Sequence, residues 1–135
     1  MPPGPIKRSH ASAPLQEVIG RLGGKWSLLV IASLGDERKR FGELRRGLGG
    51  VSQRMLTLTL RSLERDGIVA RTLYPTAPLR VEYELTRIGV TLLEPLAALA
   101  AWAERNRATL HEARKRYDAR ATREASAANR RGRAK

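Results

Sequence analysis

Residues 51–67 read VSQRMLTLTLRSLERDG, and the spacing of their apolar side chains predicts one amphipathic helix. At about 100° per residue, Leu56, Leu60 and Leu63 fall within one narrow sector of such a helix. The opposite side carries three arginines flanked by a threonine and a leucine: Arg54, Arg61 and Arg65, with Thr57 and Leu58. The stretch therefore has one face to bury and another that presents guanidinium groups outward.

The residues just before this helix predict a helix-turn-helix. A short helix is expected from about Arg40 to Leu48, with Phe41 and Leu44 turned inward. Gly49-Gly50 then makes a tight turn, and Ser52 stands where a helix N-cap is wanted. A short helix, a glycine-containing turn and a second amphipathic helix are the parts of that motif.

The residues after the helix predict a β-hairpin. The segment 68–73 has the composition of a strand, and Val81, Tyr83 and Leu85 alternate with polar residues as in a half-buried strand. The loop YPTAPLR at 74–80 contains two prolines, so it is unsuited to a helix. An isolated hairpin is barely stable, so it must pack on the helices. A helix-turn-helix followed by such a hairpin is a winged helix, mainly α with a small β-hairpin.

Further helices are predicted on both sides of this unit. One begins near Ser12, and a second, from Trp26 to Leu34, is apolar almost all round and is expected to be the central buried element. A long final helix is expected from near Thr86 to about Leu110 or beyond, with a local kink at Pro95. The apolar positions of the two outer helices are Leu15, Ile19, Leu92, Leu96, Leu99, Trp102 and Ala103. The apolar stripe of the final helix is longer than so small a core can cover. We therefore predict that the two outer helices form the interface of a homodimer.

The composition favours an anionic partner and argues against an enzyme. The 135 residues carry 26 Lys+Arg against 13 Asp+Glu, a net charge of +13, as expected for binding to nucleic acid or to an acidic membrane surface. The chain has no cysteine, and its only histidines are His10 and His111, so we expect no metal site and no cofactor. No nucleophile, base and acid form a catalytic set. No apolar run reaches the roughly 18 residues of a membrane span, and the start lacks the apolar core of a signal peptide, which predicts a cytoplasmic protein.

The basic charge is concentrated at the C-terminus. Residues 114–135 contain nine Lys/Arg against two acidic residues, a net +7, and almost no large apolar residue. Such a segment buries too little surface to offset its ordering entropy, although Ala and Arg also favour continuation of a helix. We therefore predict a disordered segment at 1–12, a winged-helix domain with dimerisation helices at 13–112, and a flexible or frayed-helical tail at 113–135.

Three blocks of sequence, in this order and spacing, resemble the HxlR family of bacterial transcription regulators. They are GGKWSLLVI (23–31), KRFGELRRGLGGVSQRMLTLTLRSLERDGIVAR (39–71) and YPTAPLRVEYELTRIG (74–89). The resemblance covers about residues 14–110. It implies a homodimeric winged-helix protein that binds double-stranded DNA near the genes it controls, with the helix that Ser52 caps as recognition helix. Family members that sense oxidants carry a cysteine before the first helix, where this chain has Ala13, so thiol-based sensing is excluded.

The resemblance gives the outward arginines a function. Because a recognition helix lies in the major groove with its N-terminal half near base edges, the candidates for reading bases are Gln53, Arg54, Thr57 and Leu58. Further along the helix, Arg61 and Arg65 are better placed for phosphates. Lys39 and Arg40 are expected at the DNA backbone, and Arg80 in the wing at phosphate or minor groove, although an ion pair with Glu82 is the alternative for Arg80.

Two other functions are open to a basic winged helix. A basic RNA-associated protein would use the same charge, but it would expose aromatic side chains for base stacking, and aromatic residues make up only 4% of this chain. A protein-interaction module would leave the arginine face unexplained. The leading hypothesis is therefore a sequence-specific regulator that binds an inverted repeat as a homodimer and is nucleoid-associated when bound. The sequence leaves open whether a small-molecule effector binds at the dimer interface, near Trp26 and Trp102.

Overall fold

The structure is a computed structural model that describes residues 12–133. Its elements are α1 (Ser12–Leu22), α2 (Lys25–Leu34), β1 (Lys39–Arg40), α3 (Phe41–Gly47), α4 (Gln53–Arg65), β2 (Val69–Tyr74), β3 (Arg80–Leu85), α5 (Arg87–Val90) and α6 (Leu93–Arg133). Residues 12–96 form one compact unit and residues 97–133 a second. The fold is mainly α with a small sheet, as predicted. The predicted disordered segment 1–12 lies outside the described residues except for Ser12, where α1 begins.

The core of residues 12–96 is built where α2 and α4 meet. Leu56, Leu60 and Leu63 of α4 are all buried, as the angular pattern predicts. They share one apolar cluster with residues of the helices and strands around them: Leu22, Val30, Ile31, Leu34, Leu44, Val51, Val69 and Leu85. The prediction that α2 is the central buried element is confirmed for Val30, Ile31 and Leu34, which are buried, whereas Leu29 is 45% exposed. Trp26 and Leu28 of α2 are half-buried and also pack against this core.

The predicted cap of α4 is confirmed. The Ser52 hydroxyl oxygen accepts a hydrogen bond from the Met55 backbone N–H at 3.0 Å, which satisfies one of the free donors of the first turn. The helix ends at Arg65, and Gly67 follows with φ of +75°, a left-handed conformation in which glycine costs least. The turn allows the Ile68 N–H to donate to the Leu63 carbonyl at 2.9 Å. The helix α4 is thus fixed at both ends.

The sheet has three strands rather than the two of the predicted hairpin. Its order is β1-β3-β2, and both pairings are antiparallel. The hairpin itself is confirmed, with β2 and β3 in register from Val69 opposite Leu85 to Tyr74 opposite Arg80. The missed strand β1 pairs Lys39 with Tyr83 and Arg40 with Glu82. A two-residue strand has no alternation to detect, which is why the sequence shows no sign of it.

The two faces of the hairpin have different surroundings. Side chains alternate along a strand, so Arg71 and its partner Tyr83 lie on the same face as Val69 and Leu85, which are buried in the core. The other face is turned away from that core. It carries the side chains of Thr72, Tyr74, Arg80, Glu82 and Glu84.

The C-terminal part of the chain differs from the single helix predicted from Thr86 onward. Thr86 caps the short α5, its hydroxyl accepting from the Gly89 N–H at 3.2 Å, and a turn at residues 91–92 separates α5 from α6. Pro95 therefore stands in the first turn of α6, where its missing N–H costs nothing, and the predicted kink inside a helix is wrong. Leu92 and Leu96 are half-buried and pack against the core of their own chain.

The helix α6 has 41 residues and is about 62 Å long at 1.5 Å per residue. It passes without interruption through residue 113, so the basic segment for which the sequence allowed both a flexible and a helical form is helical to Arg133. Leu99 and Trp102 of this helix are 55% and 46% exposed. Neither α6 nor any other helix within residues 12–133 is long and apolar enough to cross a membrane.

Candidate nucleic-acid interface

The outward side of α4 is a continuous exposed surface. The predicted base-reading residues and one predicted phosphate contact line a single open groove there: Gln53, Arg54, Thr57, Leu58 and Arg61. Thr57 donates its hydroxyl proton to the Gln53 carbonyl at 2.8 Å. Leu58 is exposed between the polar side chains, an arrangement suited to contact with a thymine methyl group. The side chains that the helical pattern groups on one face are thus grouped in space.

The arginines of residues 12–96 fall into two groups according to their ion pairs. Within residues 12–133, no carboxylate lies within ion-pair distance of Arg54, Arg61 or Arg65. Four other arginines of residues 12–96 each pair with a carboxylate: Arg21 with Glu17 and Asp66, Arg38 with Glu84, Arg71 with Glu64, and Arg80 with Glu82. Arg40, Arg45, Arg46 and Arg87 are likewise without a carboxylate at that distance among the described residues, so the outward arginines of α4 belong to a larger unpaired group whose charge is available to a partner outside the chain.

Two basic residues next to this face were missed in the sequence. Arg45 and Arg46 of α3 are exposed and, with Gly50 and Ser52, line an open groove at the start of α4. For Arg46 the signal was available, since Phe41 and Leu44 point inward and so leave Arg46 on the outer side of α3, whereas Arg45 lies at the edge of the inward face. They extend the positive surface from α4 to α3.

Lys39 and Arg40 are held by β1 rather than by the first turn of a helix. The Lys39 ammonium donates a hydrogen bond to the Ser33 carbonyl at 2.6 Å and is partly buried. The Arg40 backbone N–H donates to the Glu43 carboxylate at 3.1 Å, while the Arg40 side chain is exposed. An ammonium has three donors, so Lys39 keeps others, and its contact with DNA stays a prediction. The position of Arg40 leaves its guanidinium accessible.

Arg80 lies on the sheet face turned away from the core, stacked on an aromatic ring. Its guanidinium lies 4.1 Å from the centroid of the Tyr74 ring, and its Nε is 3.5 Å from a Glu82 carboxylate oxygen. The Nε atom is buried and makes no hydrogen bond with residues 12–133, so the contact with Glu82 is electrostatic only. Both the ion pair and the stack compete with the predicted contact of Arg80 with DNA.

A cleft of about 250 Å³ separates α4 from the hairpin. Its polar lining consists of two arginines, a carboxylate, a tyrosine and a threonine: Arg61, Arg71, Glu64, Tyr83 and Thr57. Arg71 Nε lies 3.6 Å from a Glu64 carboxylate oxygen, and both side chains are substantially exposed. Burial raises the pKa of Tyr83, while the positive charges of Arg71 and Arg61 lower it and the Glu64 carboxylate raises it. Tyr83 therefore keeps its hydroxyl proton at neutral pH.

Residues 21–111 match the HxlR-like helix-turn-helix family, which is more than half of the chain. The chain belongs to the HxlR family. Its relatives include YybR of Bacillus subtilis, 43% identical over 109 residues that span 81% of this chain and 87% of YybR. Another is YtfH of Escherichia coli, 43% identical over 93 residues that span 69% of this chain and 74% of YtfH. Both are described as uncharacterized HTH-type transcriptional regulators, so this HxlR-family chain is a regulator of the same type.

Solved structures confirm the winged-helix fold. The redox regulator HypR in its reduced form is 42% identical, with a TM-score of 0.70 over 74% of this chain and 99% of HypR. A transcriptional regulator of the MarR family from Porphyromonas gingivalis is 34% identical, with a TM-score of 0.69 over 75% of this chain and 99% of that one. This HxlR-family chain has no cysteine, so thiol chemistry is not open to it. Among residues 12–133, no cluster of three or more His, Asp or Glu could hold a metal ion.

Proposed function

We propose that this HxlR-family regulator reads a specific DNA sequence through the outward face of α4. The observation that carries the proposal is that Gln53, Arg54, Thr57, Leu58 and Arg61 line one open groove on α4, with no carboxylate of residues 12–133 within ion-pair distance of its arginines. A guanidinium aimed at solvent next to an open groove suits guanine O6 and N7 or a phosphate. Exposed aromatic platforms, which single-stranded RNA requires, are missing from α4.

The position of each arginine along α4 assigns its role. Arg54 lies in the first turn, and the N-terminal part of a recognition helix approaches the base edges. Arg61 lies about two turns further along, where the helix leaves the floor of the groove and approaches the backbone. Arg54 therefore reads a base, and Arg61 binds a phosphate.

The test measures how tightly Arg54→Ala and Arg61→Ala bind two DNA duplexes. One is the preferred duplex, which carries the sequence that the unmodified protein binds most tightly, and the other is a scrambled duplex, which carries the same bases in a different order. Arg54→Ala should cost roughly 1–3 kcal/mol on the preferred duplex and little on the scrambled one, because it removes a base contact. Arg61→Ala should weaken binding to both duplexes almost equally, because it removes a phosphate contact. It should also lower the salt slope, the steepness with which the logarithm of the binding constant falls against the logarithm of the salt concentration, by about one. Binding titrations at two salt concentrations separate the two results.

Ser62→Ala is the matched control for both variants, since Ser62 is an exposed residue of α4 that lies outside the groove. Circular dichroism should show equal helix content in all the variants, because Arg54 and Arg61 are exposed and the apolar core of α4 is formed by Leu56, Leu60 and Leu63. If both arginine variants bind the preferred duplex as tightly as the unmodified protein, the α4 face does not read DNA.

The regulator is proposed to act as a homodimer on an inverted repeat. Large apolar side chains are exposed on both outer helices: Leu15, Val18 and Ile19 on α1, and Leu99, Trp102 and Leu110 on α6. Water contact with so many apolar groups is unfavourable, and a second copy of the chain supplies matching cover. Ala103 lies on α6 beside these residues. Leu92 and Leu96 contact their own core, so Leu99 and Trp102 give the stronger support for the interface.

A two-fold symmetric dimer imposes its symmetry on the DNA. The two half-sites should lie about 10–10.5 bp apart from centre to centre, or a multiple of that distance. A regulator of this kind works on the chromosome, so we place it in the bacterial cytoplasm, on the nucleoid when it is bound. A small-molecule effector would act on this dimer by a route other than cysteine chemistry.

The basic C-terminal part of α6 is proposed to add affinity for DNA of any sequence. At about 100° per residue, five arginines fall on one side of this helix: Arg116, Arg120, Arg123, Arg130 and Arg131. All five are exposed, and they span about 22 Å along the helix axis. A row of positive charge on a rigid helix binds phosphates and releases their counterions, without reading bases.

Truncation after residue 113 tests this role. Binding to the preferred and to the scrambled duplex should weaken by similar factors, and the salt slope should fall by about 0.9 for each phosphate that the tail neutralises in the full-length protein. A full-length variant with the five arginines replaced by glutamine keeps the length of α6 and should behave like the truncation. A changed sequence preference with an unchanged salt slope would contradict this role for the tail.

A further inference from the structure

We propose that the cleft between α4 and the hairpin holds one DNA backbone phosphate, bound by Arg61, Arg71 and the Tyr83 hydroxyl. This inference rests on the proposed docking of α4 in the major groove. Arg71 is not among the DNA-binding candidates predicted from the sequence, because it belongs to a strand and not to the helix α4. Its place in the sheet, opposite Tyr83, brings it to the same cleft as Arg61.

The path of the DNA strand leads to this cleft. A recognition helix occupies the major groove and a wing reaches the neighbouring minor groove, and a sugar-phosphate strand separates the two grooves. That strand must therefore pass between α4 and the hairpin. The open cleft of about 250 Å³ lies between the same two elements. A phosphate on this path meets the polar side chains that line it.

The chemistry of the lining suits a phosphate. Two guanidinium groups supply positive charge and forked N–H donors, the geometry that binds phosphate oxygens best. Tyr83 adds a neutral O–H donor, since its pKa is raised by burial. Both arginines lie close enough to Tyr83 for their charges to act on its hydroxyl. The hydrogen-bond donors of Arg61 on α4 and of Arg71 and Tyr83 on the hairpin thus line the same cleft.

Glu64 competes with the phosphate for Arg71. The separation of 3.6 Å between Arg71 Nε and the Glu64 carboxylate, with both side chains substantially exposed, is that of a weak surface pair. A phosphate in the cleft would take over the Arg71 guanidinium and would be repelled by the nearby carboxylate. Glu64 therefore holds down the affinity of the cleft for DNA of any sequence.

The experiment uses the full chain, the preferred duplex and a scrambled duplex. Arg71→Ala should weaken binding to both duplexes by about three- to tenfold and lower the salt slope by about one. Glu64→Gln should strengthen binding to both by a similar factor, since it removes the competing charge and keeps the shape of the side chain. Tyr83→Phe should weaken binding by a smaller factor than Arg71→Ala. Thermal melting of each variant verifies that the fold is intact.

Arg38 and Glu84 provide matched controls. They form a surface ion pair at 3.2 Å with similar exposure, and Glu84 points to the opposite side of the sheet from Tyr83. Arg38→Ala and Glu84→Gln remove the same charges outside the cleft and should leave affinity within about twofold of the unmodified protein. Equal effects of Arg71→Ala and Arg38→Ala would overturn the proposal, because they would report total charge and not a site.

Single methylphosphonate linkages in the preferred duplex locate the phosphate. One neutral linkage in each half-site should weaken binding by the unmodified protein more than binding by Arg71→Ala, since the variant has already lost one of the three side chains that meet this phosphate. A cost that is the same in both proteins at every position would overturn the proposal. If free inorganic phosphate binds the cleft while Arg71→Ala leaves DNA binding unchanged, the site takes a free anion and not the DNA backbone. Base reading by α4 is judged separately, since Arg54→Ala reports it without involving the cleft.

Discussion

Replacing Leu99 with aspartate is expected to split the proposed homodimer and lower affinity for an inverted-repeat operator by about 10²–10⁴-fold. Leu99 is exposed on α6, so the charge costs the isolated chain little, whereas in an apolar interface it would cost several kcal/mol. A monomer binds only one half-site, so it loses the additional affinity that a dimer gains by binding two half-sites at once. Light scattering at micromolar concentration should give 15.0 kDa for the variant and twice that mass for the unmodified protein.

Two further variants complete this test. Ile19→Asp on α1 should have the same effect through the other proposed interface helix, because Ile19 is 57% exposed. Leu79→Asp is the control for oligomeric state, since Leu79 is equally apolar and 62% exposed but belongs to the wing loop. Leu96 is unsuitable here because it packs on its own core, and a charge there would also unfold the chain. A mass of 15.0 kDa for the unmodified protein would refute the dimer.

Gly89→Ala is expected to destabilise the fold by roughly 1–3 kcal/mol or more, the usual cost of overpacking. Gly89 is buried in α5, and a Cβ atom there would overlap the Ile68 carbonyl oxygen and crowd the Leu85 Cβ at 3.3 Å. The carbonyl has little freedom to move, because it accepts a hydrogen bond from the Thr86 backbone N–H at 2.9 Å. Thermal unfolding should show a midpoint lowered by about 4–8 °C for each kcal/mol lost.

Gly47→Ala is the matched control for this substitution. Gly47 ends α3, and a Cβ atom there would lie 3.8 Å from the Ser33 hydroxyl oxygen, an ordinary contact distance. Because alanine favours helix over glycine by up to about 1 kcal/mol, this variant should melt at the same temperature or a higher one. An unchanged midpoint for Gly89→Ala would mean that the junction of α5 with the sheet yields more easily than its hydrogen bonds indicate.

The elements with strong periodicity could be predicted from the sequence. The leucines of α4 repeat at helical spacing and are buried, and the alternation in β3 marks a half-buried strand. Elements set by tertiary contacts gave no such signal. The strand β1 exists only because Lys39 and Arg40 pair with β3. The start of α5 is fixed by Thr86, whose backbone N–H and hydroxyl both donate to the distant Ile68 carbonyl. An all-apolar α2 could not reveal which side stays exposed.

The residues of the candidate site also differ in whether the sequence could predict their grouping. The residues of one helix, such as Arg54 and Arg61, could be grouped from the sequence because the helix alone sets their direction. Arg71 could not, since its place in the cleft depends on the strand register opposite Tyr83. Arg80 was expected in the wing, but its stack on Tyr74 depends on the same register. Ion pairs between distant parts of the chain, such as that of Arg71 with Glu64, leave no local pattern.

The short length of β1 has a consequence for the dynamics of the wing. Only the base of the hairpin, at Glu82 and Tyr83, has a third strand beside it, and the tip from Leu73 to Val81 is a two-stranded ribbon. Such a ribbon is marginally stable by itself, so its backbone amides should open locally and exchange with solvent well before those of the base. Contact with DNA would suppress this opening. Part of the binding free energy would then go into ordering the tip, and such a wing would adapt to grooves of different width.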